Sequence, residues 1–159
     1  MAAGDILKET GLIVEKFLVK ENEDVELGEL VVDDGNGVLP ATKALAATGK
    51  VMMALKSHDY SEETTHTIEC VVVGCVEALK VSGSGAARKG DKLTVSATAG
   101  QVTKFVKGTA PTGGDTTYYT AAIQAGVQEA LDANLAVIGS AYEASLDADT
   151  TQKMWLGVT

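Results

Sequence analysis

The chain has few aromatic residues, few prolines and few cysteines, and these scarcities limit its class. Aromatic residues make up 4% of the 159 residues, and there are 2 prolines and 2 cysteines. A small scaffold held together by disulfides needs more cysteines, so the composition favours synthesis in a reducing cytosol. Apolar residues make up 45% of the chain, which is enough for a packed core and argues against intrinsic disorder.

Basic residues are scarce as well. The chain has 13 Lys and Arg against 22 Asp and Glu, which gives a formal net charge of −9. Such a chain repels a polyanion on average, and nucleic-acid-binding proteins usually present a basic face. No basic cluster is larger than the pair Arg88 and Lys89. We therefore expect no nucleic-acid partner.

Long apolar runs are also missing. No uncharged apolar stretch approaches the roughly 18 residues that a membrane-spanning helix needs. Asp5, Lys8 and Glu9 interrupt the N-terminal segment, where a signal peptide would carry an apolar region. The sequence therefore predicts no membrane partner.

A glycine-rich stretch resembles a phosphate-binding loop only at first sight. Gly85 and Gly90 have the spacing of that motif, but Asp91 and Lys92 follow where it requires Lys and Ser or Thr. The next residues alternate as in a β-strand, so no helix N-terminus is available for a phosphate. This pattern favours a turn that leads into a strand, with no cofactor bound.

No motif for metal binding or catalysis is present. His58 and His66 have no spacing typical of metal ligands, and we expect them to be solvated loop residues. The G-x-S-x-G elbow of serine hydrolases is missing. We assign no catalytic, metal-binding or cofactor-binding residue. A small hydrolase or ligand-binding protein that uses Cys70 or Cys75 with His66 remains an alternative.

The two cysteines lie in one apolar run. Cys70 and Cys75 are separated by an odd number of positions, which places them on opposite faces if the run is a single strand. They cannot then form a disulfide with each other. We expect two buried thiols that act as small hydrophobic side chains.

Most of the chain has the alternation of β-strands. Residues 29–32 and 38–42 flank the turn DDGNG, which predicts a hairpin with Gly35 or Gly37 at a positive φ. Further strands are predicted at 49–55, at 65–81 with a bend at Gly74, and at 92–96. Several short strands joined by glycine-rich turns are typical of a small barrel or sandwich.

One segment has helical periodicity instead. Ile123, Val127 and Leu131 are four residues apart in the segment 120–135, and they would form one apolar stripe on a helix. Threonines and an aspartate at 115–117 can cap its N-terminus. We expect a short helix, in an insert at about 115–135, that packs on the sheet.

A weak internal repeat organises these elements. Residues 26–38 resemble residues 88–102, with Gly28 and Gly90 62 positions apart. Residues 50–74 resemble residues 135–158, with Glu63 of one Glu-Thr-Thr corner matching Asp149 of an Asp-Thr-Thr corner. The prediction is a mainly β fold, a small β-barrel or sandwich made of two related β-units. One short α-helix is inserted in the second unit.

Two ordered motifs carry a resemblance to a known family. Residues 88–102 read RKGDKLTVSATAGQV, and residues 136–158 read AVIGSAYEASLDADTTQKMWLGV. With the segments before them, they resemble the capsid cement, or head-decoration, proteins of tailed bacteriophages and related viruses. The resemblance covers most of residues 27–158. The helical insert and the extended N-terminal segment depart from the family pattern.

The resemblance implies a structural virion protein with no catalysis. Such proteins bind the outer surface of an assembled icosahedral capsid, often as homotrimers, and stabilise it. The implied partners are the major capsid protein and further copies of this chain. The implied localisation is the exterior of the virion, after synthesis in the host cytoplasm. Another virion structural β-module, in a tail or baseplate, is the alternative.

The sequence also suggests a domain division and candidate contacts. Residues 1–20 would form an N-terminal arm and first strand, which could order on binding, and residues 21–159 the β-rich decoration domain. Aromatic, basic and isolated apolar residues are the candidates for contact with the capsid or another subunit. They are Ile6, Leu7, Arg88, Lys89, Tyr118, Tyr119 and Trp155.

Overall fold

The computed structural model describes residues 2–107, 127, 131 and 136–157. A curled antiparallel sheet of nine strands forms a half-barrel, which confirms the prediction of a mainly β, barrel-like fold. The elements are β1 (Ile6–Leu18), β2 (Leu30–Asp33), β3 (Val38–Pro40), α1 (Lys43–Thr48), β4 (Val51–Ala54), β5 (Thr67–Leu79), β6 (Lys92–Val95), β7 (Val102–Lys104), β8 (Val137–Ala141) and β9 (Thr151–Leu156).

The order of the strands repeats about the middle of the sheet. It runs β3-β2-β4-β5-β9-β8-β6-β7, and β1 pairs with β5 outside this path. The arrangement of β1 to β5, which we call the first unit, recurs in β5 to β9, the second unit. The long strand β5 belongs to both units, because it closes the first and opens the second.

Equivalent backbone contacts establish the repeat. Val19 forms a parallel bridge with Val38 in the first unit, and Lys80 forms one with Val102 in the second. The amide of Gly28 donates to the carbonyl of Ala54 (2.9 Å), as the amide of Gly90 donates to that of Ala141 (2.8 Å). The predicted match of Gly28 with Gly90 is therefore confirmed, and with it the two related units.

The second predicted match is displaced by two residues. The amide of Val19 donates to the carbonyl of His66, and the amide of Lys80 donates to that of Thr150. His66 is therefore the counterpart of Thr150, whereas the alignment of Glu63 with Asp149 would pair Thr64 with Thr150. The two Thr-Thr corners resemble each other in sequence but occupy different positions in the units.

The predicted hairpin is present as β2 and β3, and β6 and β7 form a second hairpin. Asp33 lies opposite Val38 in the β2–β3 hairpin, and Gly35 and Gly37 in its turn have φ angles of 94° and 132°. The β6–β7 hairpin follows residue 91 as expected, with Val95 opposite Val102. Positive φ angles of this size are easily adopted only by glycine, so these turns are encoded locally.

Gly74 is the point at which β5 changes partners. Cys70 and Val71 pair with β4, and the pairing with β9 begins at Gly74 opposite Leu156. A Cβ atom at Gly74 would lie 2.8 Å from Cδ1 of Leu12. The absence of a side chain at Gly74 therefore permits a close approach of Leu12 at the point where β5 passes from one unit to the other.

A helix in the first unit was not predicted. Helix α1 lies between β3 and β4; the side chain of Thr42 caps it by accepting from the amide of Leu45, and Gly49 follows its end. Val127 and Leu131 also have helical backbone, and they lie between β7 and β8. Both units therefore carry helical residues between their third and fourth strands, so the predicted restriction of the helix to the second unit is wrong.

Two residues of the predicted apolar stripe, Val127 and Leu131, are described, and neither side chain is buried against the sheet. The side chains of Val127 and Leu131 are 44% and 50% exposed. Ile123, the third residue of that stripe, lies outside the described residues. At these two residues the backbone is helical, but their side chains are not buried as the periodicity predicts.

The N-terminal segment is a strand of the sheet. Residues from Ile6 onward pair with β5, with register shifts between Ile6 and Val14, and the amide of Gly4 donates to the carbonyl of Glu77. Residues 6–18 therefore form a strand within the sheet, and the structure shows no free arm there. The first unit needs β1, because β1 occupies the position that β5 occupies in the second unit.

The core consists of two clusters of buried apolar side chains. The smaller cluster lies in the first unit and includes Val31, Met52 and Cys70. The larger cluster contains residues of both units, so it continues across β5 from one unit to the other. Cys70 and Cys75 are both fully buried and unpaired, which confirms their expected role as small hydrophobic residues. Residues on both faces of the short strands are buried, so the sheet wraps around its own side chains.

Candidate contact surface

The outer face of the second unit presents a partly exposed tryptophan. Trp155 on β9 lies opposite Cys75 on β5 and opposite Ser140 on β8. Its neighbours Met154 and Leu156 are fully buried. Because successive side chains of a strand point to opposite faces, burial of these two places the indole on the outside.

Tyr142 lies beside this tryptophan. It follows β8 directly, and its amide donates to the carbonyl of Lys153 on β9 (2.9 Å). The rings of Tyr142 and Trp155 meet edge to face, with centroids 5.8 Å apart and planes at 88°. This geometry is favourable for aromatic pairs, because the positive edge of one ring faces the negative face of the other.

Two lysines from distant parts of the chain complete the cluster. The Lys8 ammonium lies 4.9 Å from the centroid of the Tyr142 ring and 5.5 Å from that of the Trp155 ring. The Lys89 ammonium lies 5.7 Å from the Tyr142 centroid. Each such contact at an exposed site stabilises by about 0.5–1 kcal/mol. We call Lys8, Lys89, Tyr142 and Trp155 the cation–aromatic patch.

Ion pairs border the patch and fix its surroundings. Lys153 Nζ lies 2.7 Å from Glu143 Oε2, and Lys104 Nζ lies 2.8 Å from Asp91 Oδ2. The bond to Glu143 raises the pKa of Lys153, and the bond to Lys104 lowers the pKa of Asp91. These charges are balanced in pairs, whereas the Lys8 and Lys89 ammoniums face aromatic rings. The patch is therefore locally positive on an acidic chain.

Asp91 explains the turn that resembled a phosphate loop. Its carboxylate accepts from the amide of Arg88 (2.8 Å) as well as from Lys104. Glu29 accepts from the amide of Glu26 in the same way at the equivalent turn of the first unit. The acid after the glycine thus closes the turn before the strand, and this turn contains Lys89 of the patch.

The structure brings some of the predicted contact residues together. Trp155 and Lys89 belong to the patch, and Arg88 is exposed next to Lys89. Ile6 and Leu7 precede Lys8 on β1; Ile6 is 38% exposed and lies opposite Val76, and Leu7 is partly buried. Tyr118 and Tyr119 lie outside the described residues.

Sequence reasoning missed Lys8 and Tyr142. Tyr142 ends the run AVIGSAY, and strand alternation from Ser140 places it on the outer face with Trp155. That signal was available in the sequence. Lys8 is an ordinary charged residue in the sequence, and only the pairing of β1 with β5 brings it to the aromatic rings.

The histidines form a pair, contrary to the expectation of solvated loop residues. His58 is 2% exposed, and its Nε2 lies 3.3 Å from Nδ1 of His66. The ring of Tyr60 stacks on His66 with centroids 3.9 Å apart and planes at 16°. His58 also exchanges two backbone hydrogen bonds with Val25, which buries it in the first unit. Tertiary packing therefore overrides the polarity of the local sequence.

The thiols are poor nucleophiles in this fold. Burial raises the pKa of Cys70 to about 12, and burial also raises the pKa of Cys75. A thiolate is the reactive form of cysteine, and an apolar environment disfavours it. Neither thiol therefore has the lowered pKa of an activated nucleophile.

Within the described parts of the chain, no three His, Cys, Asp or Glu side chains converge as metal ligands. No described helix has the length and apolar character needed to cross a membrane.

Comparison with known protein families, curated proteins and solved structures found no match. The function must therefore be inferred from the chain's own residues.

Proposed function

We propose that this protein is a capsid decoration protein of a tailed bacteriophage or related virus. It binds the outer surface of the icosahedral capsid and stabilises the shell without catalysis. Its partners are the major capsid protein and further copies of itself, with a trimer as the favoured assembly. The ordered motifs at 88–102 and 136–158 support this proposal, because they resemble those of the cement proteins.

The cation–aromatic patch is the observation on which the proposal depends most. The two motifs that carry the resemblance supply three residues of the patch. Lys89 lies in residues 88–102, and Tyr142 and Trp155 lie in residues 136–158. The fold places these residues together and adds Lys8 from β1. Tryptophan and tyrosine are enriched where protein interfaces gain most of their affinity, and charged residues around them favour a complementary partner.

The architecture suits a clamp that transmits force. Strand β5 is hydrogen-bonded to β1, β4 and β9, so it joins the two units along one continuous backbone. Separating the units would break its pairing with β9 and expose buried side chains such as Val76 and Met154. A module of this kind resists deformation under load because its units cannot move independently.

Binding to capsids is the direct test. The protein is mixed with expanded shells formed from the major capsid protein of its own virus, and the shells are sedimented. We expect co-sedimentation and a higher melting temperature of the decorated shells. If the shells sediment without the protein and melt as before, the proposal is wrong. Electron microscopy that finds the protein on tails instead of heads would also contradict it.

Substitutions in the patch test the contact surface. Trp155→Ala and the double change Lys8→Glu with Lys89→Glu are each expected to weaken capsid binding by at least about tenfold. Lys56→Glu is the matched control, since Lys56 is an exposed lysine of the first unit that lies 3.3 Å from Glu63. Equal binding by the patch variants and the control would show that the capsid contacts another surface.

A further inference from the structure

A groove opens at one end of the first unit. It has a volume of about 580 Å³, and the residues that line it include Leu18, Lys20, Asn22, Asn36, Tyr60 and His66. Small-molecule sites are concave and usually enclose about 300–1,000 Å³, with a few polar groups among apolar ones. The groove has both the size and the mixed lining of such a site.

The corresponding end of the second unit is closed, and this provides an internal comparison. Lys80 is 4% exposed, and its Nζ lies within 3.1–3.4 Å of four carbonyl oxygens. The amide of Gly83 donates to the carbonyl of Asp147, and the hydroxyl of Ser82 donates to that of Ala148. These bonds join the two loops that correspond to the walls of the groove.

The first unit lacks these bonds among its described residues. Val19 stands at the position of Lys80, and its side chain is buried in the core of the first unit. Glu21 and Asn22 stand where Ser82 and Gly83 make the closing bonds. The repeat therefore shows that this fold can close the end of a unit. The open groove is a property of the side chains of the first unit.

The floor of the groove is a rigid aromatic stack. Tyr60 lies parallel to His66, and His66 is held from behind by the buried His58. Leu18, which is 57% exposed, adds an apolar surface at the rim. Stacked rings with fixed orientation offer a flat apolar platform without a loss of side-chain entropy on binding.

Polar groups stand at the edges of this platform. Asn22 is the one non-glycine residue with a positive φ (62°) in the described parts of the chain, and Asn36 lies in the β2–β3 turn. An amide side chain offers both donors and an acceptor, so it can bind two neighbouring hydroxyl groups. Asparagine adopts this left-handed conformation more readily than most residues, so Asn22 fits the turn at the edge of the groove.

The charges in the groove select against ions. Lys20 Nζ lies 2.6 Å from Asp34 Oδ2, so this lysine is already neutralised, and Glu21 would repel an anion. A divalent cation needs several oxygen ligands, whereas Glu21 is the only carboxylate among the lining residues. A neutral ligand with a flat apolar face and several hydroxyl groups fits these constraints.

We propose that the groove binds a neutral saccharide. One apolar ring face of a pyranose packs on the free face of the Tyr60 ring, whose other face is covered by His66, and its hydroxyl groups pair with the amides of Asn22 and Asn36. No capsid contact is required, so this site is independent of the cation–aromatic patch and of the proposed decoration role. On a virion surface it would provide contact with glycans.

A titration followed by nuclear magnetic resonance tests the site on the full chain. The probes are the methyl pyranosides of glucose, galactose, mannose and N-acetylglucosamine, added to protein labelled with ¹⁵N. We expect saturable shifts for at least one sugar, confined to amides near Asn22, Asn36 and Tyr60. No saturable shift for any of the four, or shifts centred on the second unit, would overturn the proposal.

Substitutions locate the binding. Tyr60→Ala and Asn36→Ala are each expected to weaken the sugar affinity by about tenfold or more. Phe105→Ala, a change to a partly exposed aromatic residue of the second unit, should leave it unchanged. If Tyr60→Ala disturbs the fold, Asn36→Asp takes its place as the test. This change keeps the shape of the side chain and should weaken sugar binding by several-fold. Undiminished binding by folded Asn36→Ala and Asn36→Asp proteins would exclude this groove.

Discussion

Val19 and Lys80 occupy equivalent positions in the two units, although one is apolar and the other is charged. Each directly follows a long strand and forms a parallel bridge to the third strand of its unit. Both side chains are buried, at 2% and 4% exposure. The same backbone position thus supports a hydrophobic core in one unit and a network of hydrogen bonds in the other.

Removal of the Lys80 ammonium should destabilise the second unit. Lys80→Met keeps roughly the length of the side chain but removes the ammonium that donates to the buried carbonyls of Val81, Leu146, Asp147 and Asp149. We expect the free energy of unfolding to fall by about 1–3 kcal/mol, measured by urea denaturation. Lys56→Met, at an exposed ion pair, should change it by no more than about 0.5 kcal/mol. Equal effects would show that Lys80 does not stabilise the loops.

Gly139 should not tolerate a side chain. A Cβ atom there would collide with the carbonyl oxygen of Trp155, which is backbone and cannot rotate away. Gly139→Ala should therefore lower the free energy of unfolding by about 3 kcal/mol or prevent folding. Ser140→Ala, the next residue on β8, is the control and should stay near wild type in a thermal melt. A stable Gly139→Ala protein would contradict this packing of β8 on β9.

Glu29 should make stability depend on pH. Burial raises its pKa from its ordinary 4.5 to about 7, and the carboxyl group is packed against Gly100. The folded protein therefore keeps a proton there that the unfolded chain releases. Its contribution to stability is greatest below about pH 4.5, decreases as the pH rises to about 7, and is constant above that.

Glu29→Gln isolates this effect. The glutamine is neutral at every pH, so the variant should gain about 1–2 kcal/mol over wild type at alkaline pH, and little below pH 4.5, allowing for partial solvation of the carboxylate. Parallel urea titrations across this range measure the difference. Asp91 and Lys104 are unchanged in both proteins, so the difference cancels their contribution. A constant difference at all pH values would contradict a raised pKa at Glu29.

Both thiols should be protected from alkylation. Cys70 and Cys75 are fully buried, and burial raises both pKa values. Native protein treated with iodoacetamide at mildly alkaline pH should remain unmodified by mass spectrometry, because the thiolate is the reacting form. Unfolded protein should gain two adducts. Rapid modification of either cysteine in the native protein would favour a reactive thiol and the hydrolase alternative.

The strands and turns were largely predictable because their signals are local. Apolar runs indicated β2 and β4, alternation indicated β6, and glycines with positive φ indicated the turn at Gly35 and Gly37. Helix α1 was missed although Thr42 and Gly49 carry its capping signals. Six residues are too few to establish helical periodicity, so the apolar positions of α1 did not distinguish it from a loop.

The contact surface was only partly predictable. Trp155 and Lys89 were identified by residue type, but their proximity follows from the pairing of β8 with β9 and from the turn at Asp91. Of the groove residues, only His66 was considered for binding, and it was considered together with Cys70 or Cys75. The contact between His58 and His66 spans a polar loop, and no period in the sequence encodes such a contact.

The sequence by itself determined a mainly β chain with two related units, buried thiols and a strongly acidic surface. These features depend on alternation, turn chemistry and composition, which act over a few residues. The tertiary structure alone decided that β5 serves both units, that Lys8 reaches Tyr142 and Trp155, and that one unit is closed by Lys80 while the other is open. Those contacts join residues far apart in the chain, and only the packing of the complete sheet brings them together.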